Sequence, residues 1–137
     1  MTSVLLANHK RLCIPDAKSA IRWVKQHADG LGVDPDRFIV SGGSAGGHIG
    51  LIATSSPGLN HPDDPEGFDT SVAAIVLFNL ALSAAEANDS EVDFIQHLKP
   101  GAPPAIAFCG SKDASLKGWN PTYAKWKSLE KLGPLAH

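Results

Sequence analysis

A serine flanked by glycines at fixed spacing is the feature of this sequence with the clearest chemical meaning. Residues 42–46 read Gly-Gly-Ser-Ala-Gly, between the apolar stretch 38–40 and a helix-like segment at 47–53. In a Gly-x-Ser-x-Gly turn, a strand bends sharply into a helix, which exposes the serine hydroxyl and points the next backbone N–H at a developing oxyanion. The pattern therefore predicts Ser44 as a nucleophile and Ala45 as an oxyanion donor.

The glycines of this turn have a steric reason. A nucleophile at the apex of such a turn has a strained backbone, and a β-carbon two residues away would collide with the neighbouring strand or helix turn. We therefore expect Gly42 and Gly46 to be required for close approach.

A phosphate-binding loop is the main rival interpretation of the glycine cluster. Gly42 and Gly47 have the spacing of Gly-x-x-x-x-Gly-Lys-Ser/Thr, but His48 and Ile49 stand where the lysine and the hydroxyl residue belong. Without those groups, neither the phosphate clamp nor a magnesium ligand is present. His48 is too close in sequence to Ser44 to act as its base, and we expect a packed or capping side chain.

Composition and net charge limit the kinds of molecule that this chain is expected to bind. The 137 residues carry a net charge of −2 without a basic stripe, so we expect a small neutral or weakly charged ligand rather than nucleic acid or an anionic membrane. Cys13 and Cys109 lack CxxC spacing, and we expect both to be free, buried thiols. The start of the chain does not resemble a signal peptide, and no run reaches transmembrane length.

The acidic stretch around His61 (Asp63, Asp64, Glu66, Asp69) fits a solvated loop better than a calcium site.

The elements that must position Ser44 are readable from apolar spacing. Helical periodicity between Asp16 and Ala28 predicts an amphipathic helix with Asp16 as N-cap and Gly30 just beyond its end. The apolar stretch at 38–40 predicts a strand, and 3–7 is a possible further strand. The unbroken apolar runs at 72–78 and 105–109 predict strands that are buried on both faces, as in a parallel sheet. A loop is expected at 55–71, a short helix within 81–104 and a helix at 120–132. The order predicts one α/β layered domain.

Three linked motifs now give a family resemblance. The helix at 16–24, the turn at 32–37 and the serine turn ending in Gly47-His48 resemble the α/β-hydrolase family, in the esterase and lipase branch that includes acetylxylan- and feruloyl-esterase-like proteins. The resemblance covers roughly residues 9–132. It implies a partial α/β-hydrolase domain over 1–137, with a mostly parallel sheet and flanking helices, a small-molecule ester substrate and no cofactor.

The resemblance also implies a catalytic set. Ser44 would attack an ester carbonyl, a histidine would take its proton, and a carboxylate would orient that histidine. Segments 99–104 and 110–113 resemble the family's acid-bearing region, so Asp113 is the candidate carboxylate, with a loop-capping aspartate as the alternative.

The candidate histidine is His137. Only 24 residues follow Asp113, too few for the helix, strand and loop that precede the family's histidine, and no HGGG-type oxyanion loop is present. We therefore expect a hydrolase fragment of weak or no activity, or an inactive domain that acts as an interaction module. The strand before Ser44 would have an unpaired edge, which favours a homodimer or aggregation unless residues 3–7 cover it.

Overall fold

The computed structural model describes residues 2–65, 67, 69–81, 89–113, 124 and 128. It begins with two helices, α1 (Thr2–Gln26) and α2 (Ala28–Leu31), and a 3-10 turn (Pro35–Arg37). Then follow β1 (Ile39–Gly43), α3 (Ala45–Ser55), β2 (Ala74–Phe78), α4 (Phe94–His97) and β3 (Ala105–Phe108). Ala124 and Ser128 are helical, and the rest of the predicted 120–132 helix lies outside the described residues, as does His137.

The three strands form one parallel sheet in the order β1-β2-β3. At its carboxyl edge, Gly43 pairs with Phe78, and Phe78 pairs with Phe108. The predicted α/β architecture with a parallel sheet is confirmed. Because parallel strands end at the same edge, the loops after all three strands meet there.

Helix α3 occupies the centre of the core. It packs between the sheet and α1 and also contacts α4, so the helices lie on one face of the sheet. The buried cluster there includes Ile14 of α1, Leu51 and Ile52 of α3, and Ile75 and Leu77 of β2. This packing fixes the start of α3, and therefore the serine turn, against β1 and β2.

The opposite face of the sheet is apolar and exposed. Half-exposed hydrophobic side chains stand on all three strands there: Ile39 (53%), Phe78 (47%), Ile106 (49%) and Phe108 (51%). Phe78 and Phe108 stack with ring centroids 5.4 Å apart. No helix in the described part of the chain covers this face, so the prediction that the strands at 72–78 and 105–109 are buried on both faces is wrong.

Helix α1 differs from its sequence prediction at both ends. Residues 3–7 are helical rather than a strand, and Asp16 lies inside α1 instead of capping it. Pro15 inside the helix removes one N–H donor and crowds the carbonyl of the preceding turn. The helix continues because a buried stripe at helical spacing anchors it on both sides of the proline (Lys10, Ile14, Lys18, Ile21). At the other end, Gly30 is inside α2, and Gly32 is the left-handed C-cap with φ 67°. The prediction of buried thiols is wrong, because Cys13 on α1 is exposed and Cys109 after β3 is only partly buried. No described helix is long and apolar enough to cross a membrane.

A buried cation joins α1 to the segment after α3. Lys18 is 1% exposed, and its ammonium donates to the carbonyls of Ser56 (2.6 Å) and Gly58 and to Asn60 Oδ1 (3.3 Å). Burial lowers the pKa of Lys18 to about 8; the Arg22 guanidinium lowers it as well, and Asp64 opposes the shift. These bonds satisfy the carbonyl of Ser56, the C-cap of α3, and the Gly58 carbonyl two residues further on.

Candidate active site

Ser44 occupies a strained turn between β1 and α3. Its backbone has φ 51° and ψ −121°, a region that residues with a β-carbon rarely adopt. The Ser44 N–H donates to the Phe78 carbonyl (2.9 Å), and the Ser44 carbonyl accepts from the Ala81 N–H (3.2 Å). Backbone bonds to β2 and to the segment after it thus hold the strained residue in place, with Ser44 exposed.

The glycines around Ser44 do not share one role. A β-carbon on Gly42 would lie 2.6 Å from the Gly46 carbonyl group, so the steric prediction for Gly42 is confirmed. For Gly46 it is wrong, because a β-carbon there meets nothing within 4 Å in the described structure. Gly47 is also tight, because a β-carbon there would lie 3.0 Å from the Gly42 carbonyl oxygen and 3.1 Å from Leu80. The consecutive pair Gly46-Gly47 was the sequence signal for it.

Ala45 is the first residue of α3. N–H groups of the first helical turn have no partner within their own helix, and the positive end of the helix dipole lies there. The Ala45 N–H is therefore suited to stabilise negative charge that develops beside Ser44.

Asp113 lies at the same edge of the sheet, in the turn that follows β3. Its backbone N–H donates to the Gly110 carbonyl (2.9 Å), which closes that turn. Since β2 separates β1 from β3, the ends of those two strands are roughly 10 Å apart, twice the usual spacing between neighbours. The fold thus brings the loops of Ser44 and Asp113 to one edge, two strands apart.

Asn79 lies between these two loops, and no sequence motif had marked it as a site residue. It follows the central strand β2 with φ 45°, a second left-handed residue beside Ser44. Its backbone N–H donates to the Phe108 carbonyl (2.7 Å), and its Oδ1 accepts from the Gly110 N–H (3.1 Å). An asparagine directly after an apolar run was the available signal, because asparagine tolerates this conformation better than most residues.

His48 is buried and cannot take a proton from Ser44. The side chain is 1% exposed, and Nε2 lies 2.7 Å from the Val92 carbonyl oxygen. A carbonyl only accepts, so Nε2 carries the hydrogen, and Nδ1 accepts from the buried Lys10 ammonium (3.3 Å). The expectation of a packed side chain is confirmed. Lys10 also donates to the Ala81 carbonyl (3.1 Å), which gives it a role that its sequence position did not indicate.

The acidic loop binds basic residues of α1. Asp64 forms a salt bridge with Arg22 and accepts from the Ser19 hydroxyl (2.8 Å), while Asp69 pairs with Lys25 (3.0 Å). Hydrogen bonding from Ser71 and Lys25 lowers the pKa of Asp69 to about 2, against an opposing effect of burial. Across the described residues, no three His, Cys, Asp or Glu side chains converge as metal ligands. The loop therefore attaches to α1 through ion pairs.

Parallel strands, a left-handed serine at a strand-to-helix turn and an acid-bearing loop two strands away define an α/β hydrolase. Comparison with solved structures agrees. Thermogutta terrifontis esterase 2 phosphoramylated by tabun matches with a TM-score of 0.77 and 33% identity, over 85% of this chain and 48% of that chain. The propionate-bound form of that esterase matches with a TM-score of 0.75 and 32% identity, over 85% and 50%.

Sequence comparison gives the family. Residues 7–79 match the family described as BD-FAE, and the chain belongs to it. A probable carboxylic ester hydrolase, LipM of Mycobacterium tuberculosis (strain ATCC 25618 / H37Rv), is 46% identical over 68 residues, which is 47% of this chain and 15% of LipM. The chain thus spans about half the length of the esterase structures and a smaller share of the curated relatives. The matched segment contains Ser44 and Asn79 and ends before Asp113.

Proposed function

We propose that this chain carries the nucleophile, an oxyanion donor and the orienting carboxylate of a serine hydrolase acting on carboxylic esters. The observation that supports it most is the left-handed backbone of Ser44 at the start of α3. Backbone bonds hold the residue in this conformation, and strain of this kind clusters at functional sites. Here the strain exposes the hydroxyl beside the Ala45 N–H.

The reaction would proceed through an acyl-enzyme. Ser44 Oγ attacks the ester carbonyl carbon while its proton moves to a histidine nitrogen, and the carbonyl oxygen becomes an oxyanion that accepts from the Ala45 N–H. The C–O bond to the alcohol breaks, and the alcohol leaves with the proton from the histidine. Water then attacks the acyl carbon and passes a proton to the histidine. The bond between that carbon and Ser44 Oγ breaks, Oγ takes the proton back from the histidine, and the carboxylic acid leaves.

Asp113 and His137 complete the proposed set. The roughly 10 Å between the ends of β1 and β3 leaves room for an imidazole between a serine and a carboxylate. His48 is not proposed as the base, because Val92 and Lys10 occupy its two ring nitrogens. His137 is the histidine that the sequence offers after Asp113, in the order Ser, Asp, His.

For the substrate we propose esters of short carboxylic acids. The support is the propionate-bound form of the Thermogutta terrifontis esterase, to which this chain is 32% identical. Esters of carbohydrates, as in acetylxylan, are the finer possibility that the sequence resemblance suggested. The chain has no basic stripe that would favour a phosphorylated substrate.

Hydrolysis of p-nitrophenyl butyrate and p-nitrophenyl acetate tests this proposal. We expect turnover above the buffer rate that Ser44→Ala abolishes and Ser41→Ala, the serine three residues earlier on β1, retains. Equal rates for wild type and Ser44→Ala would contradict the proposal and favour the alternative of an inactive domain that acts as an interaction module.

A further inference from the structure

Asn79 is placed to connect the two halves of the candidate site. The register continues from the Gly43–Phe78 and Phe78–Phe108 pairs, so Asn79 follows the central strand between Ser44 and Cys109. Phe78, directly before it, accepts the hydrogen bond from the Ser44 N–H. The dipeptide Phe78-Asn79 therefore contacts the serine turn through one residue and the loop after β3 through the other.

The side chain of Asn79 makes a contact that its backbone alone would not make. The backbone bond from Asn79 N–H to the Phe108 carbonyl only extends the strand pairing. Oδ1 reaches beyond the strand and accepts from the N–H of Gly110, whose carbonyl accepts in turn from the Asp113 N–H. A chain of two hydrogen bonds thus runs from the Asn79 amide to the backbone of Asp113.

The backbone conformation of Asn79 suits its hydrogen bond to Gly110. With φ at 45°, Asn79 leaves the extended conformation of β2. Its side chain bonds to the loop after β3. Asparagine and aspartate adopt this region at lower cost than other residues with a β-carbon, and their short side chains carry an acceptor oxygen. Glycine adopts the same region but offers no acceptor.

We propose that Asn79 is a positioning residue that holds the loop 109–113, and with it Asp113, at the sheet edge occupied by Ser44. The inference rests on the proposed function, in which Ser44 and Asp113 belong to one site. It assigns Asn79 no contact with substrate, and its effect on the reaction passes through the loop.

Amide hydrogen exchange in the 137-residue chain tests the contact without any turnover. Asn79→Gly keeps the left-handed backbone and removes the acceptor, whereas Asn79→Asp keeps an acceptor oxygen. We expect exchange at the Gly110 N–H to rise about tenfold in Asn79→Gly and to stay near wild type in Asn79→Asp. The Ser44 N–H, bonded to Phe78, should exchange equally in all three proteins. Unchanged Gly110 exchange in Asn79→Gly would overturn the proposal.

Reactivity of Ser44 toward a fluorophosphonate gives the second measurement. If wild type reacts, Asn79→Gly should react several-fold more slowly, and Asn79→Asp should recover most of the rate. Equal rates in wild type and Asn79→Gly would overturn the positioning role even if the loop had loosened. If wild type does not react, the proposed function fails, and a positioning role in catalysis fails with it, while Gly110 exchange still decides whether Asn79 holds the loop.

Discussion

A β-carbon placed on Gly42 would lie 2.6 Å from the carbonyl carbon and oxygen of Gly46. The end of β1 and the first turn of α3 therefore approach each other more closely than any side chain at position 42 allows. The steric restriction applies to Gly42 and not to Gly46, because a β-carbon on Gly46 meets nothing within 4 Å in the described structure. The two glycines of the Gly-x-Ser-x-Gly pattern should therefore respond differently when each is replaced by alanine.

We expect Gly42→Ala to lower the free energy of unfolding by about 1–3 kcal/mol, because backbone atoms at Gly46 and Gly47 must move. Gly46→Ala should leave it unchanged or raise it by up to about 1 kcal/mol, because alanine favours the helix. Urea unfolding of the two variants measures this difference. Equal destabilisation by both would contradict the close approach.

Lys10 should stabilise the fold through its contacts with α3 and the segment after β2. Lys10→Met leaves the buried Nδ1 of His48 without this donor, which should cost about 1–3 kcal/mol in the free energy of unfolding. The exposed Lys112→Met in the loop after β3 is the matched control and should change stability by less than about 0.5 kcal/mol. Similar urea midpoints for the two variants would show that the Lys10 contact contributes little.

Stability should rise with pH in the alkaline range because of Lys18. Its pKa is lowered to about 8 in the folded protein from the ordinary value of 10.5. Between these values the unfolded chain binds more protons than the folded one, so the free energy of unfolding increases as pH rises. Urea unfolding between pH 7 and 10.5 should show this rise in wild type and lose it in Lys18→Met. A flat or falling profile in wild type would count against the shift.

The apolar face and outer edge of β1 predict self-association. Residues 3–7 are part of α1 and do not pair with β1, and Ile39 on that strand is 53% exposed. We propose a homodimer or larger aggregate, seen as concentration-dependent mass in light scattering, that Ile39→Lys weakens. Leu12→Lys is the control, because Leu12 is 70% exposed but lies on α1. A monomer at every concentration would contradict the proposal.

Local pattern predicted much of the sheet and its serine turn. The apolar runs before Ser44 and at 72–78 and 105–109 correspond to β1, β2 and β3, because each strand's signal lies within its own residues. The start of α1 could not be predicted this way. Its first turn has no acidic residue, and the stripe that contains Lys10 and Ile14 is recognised only once its packing partners are known.

The supporting contacts of the site depend on residues far apart in sequence. Asn79 bonds Gly110, 31 positions away, and Lys10 bonds Ala81, 71 positions away. From the sequence alone, Asn79 is a polar residue after an apolar run, and Lys10 is a polar residue near the start of the chain. Their roles follow from strand order and from the packing of α1 on α3, which single-sequence periodicity does not specify.

Labelling of the purified chain with a fluorophosphonate, followed by intact mass measurement and peptide mapping, tests most directly whether Ser44 is a nucleophile. We predict one adduct on Ser44 that is lost in Ser44→Ala and kept in Ser41→Ala. An adduct would show that the hydroxyl is activated and that an oxyanion site is available to it. A folded chain that gains no mass, or gains it equally in Ser44→Ala, would contradict the assignment of Ser44 as the nucleophile.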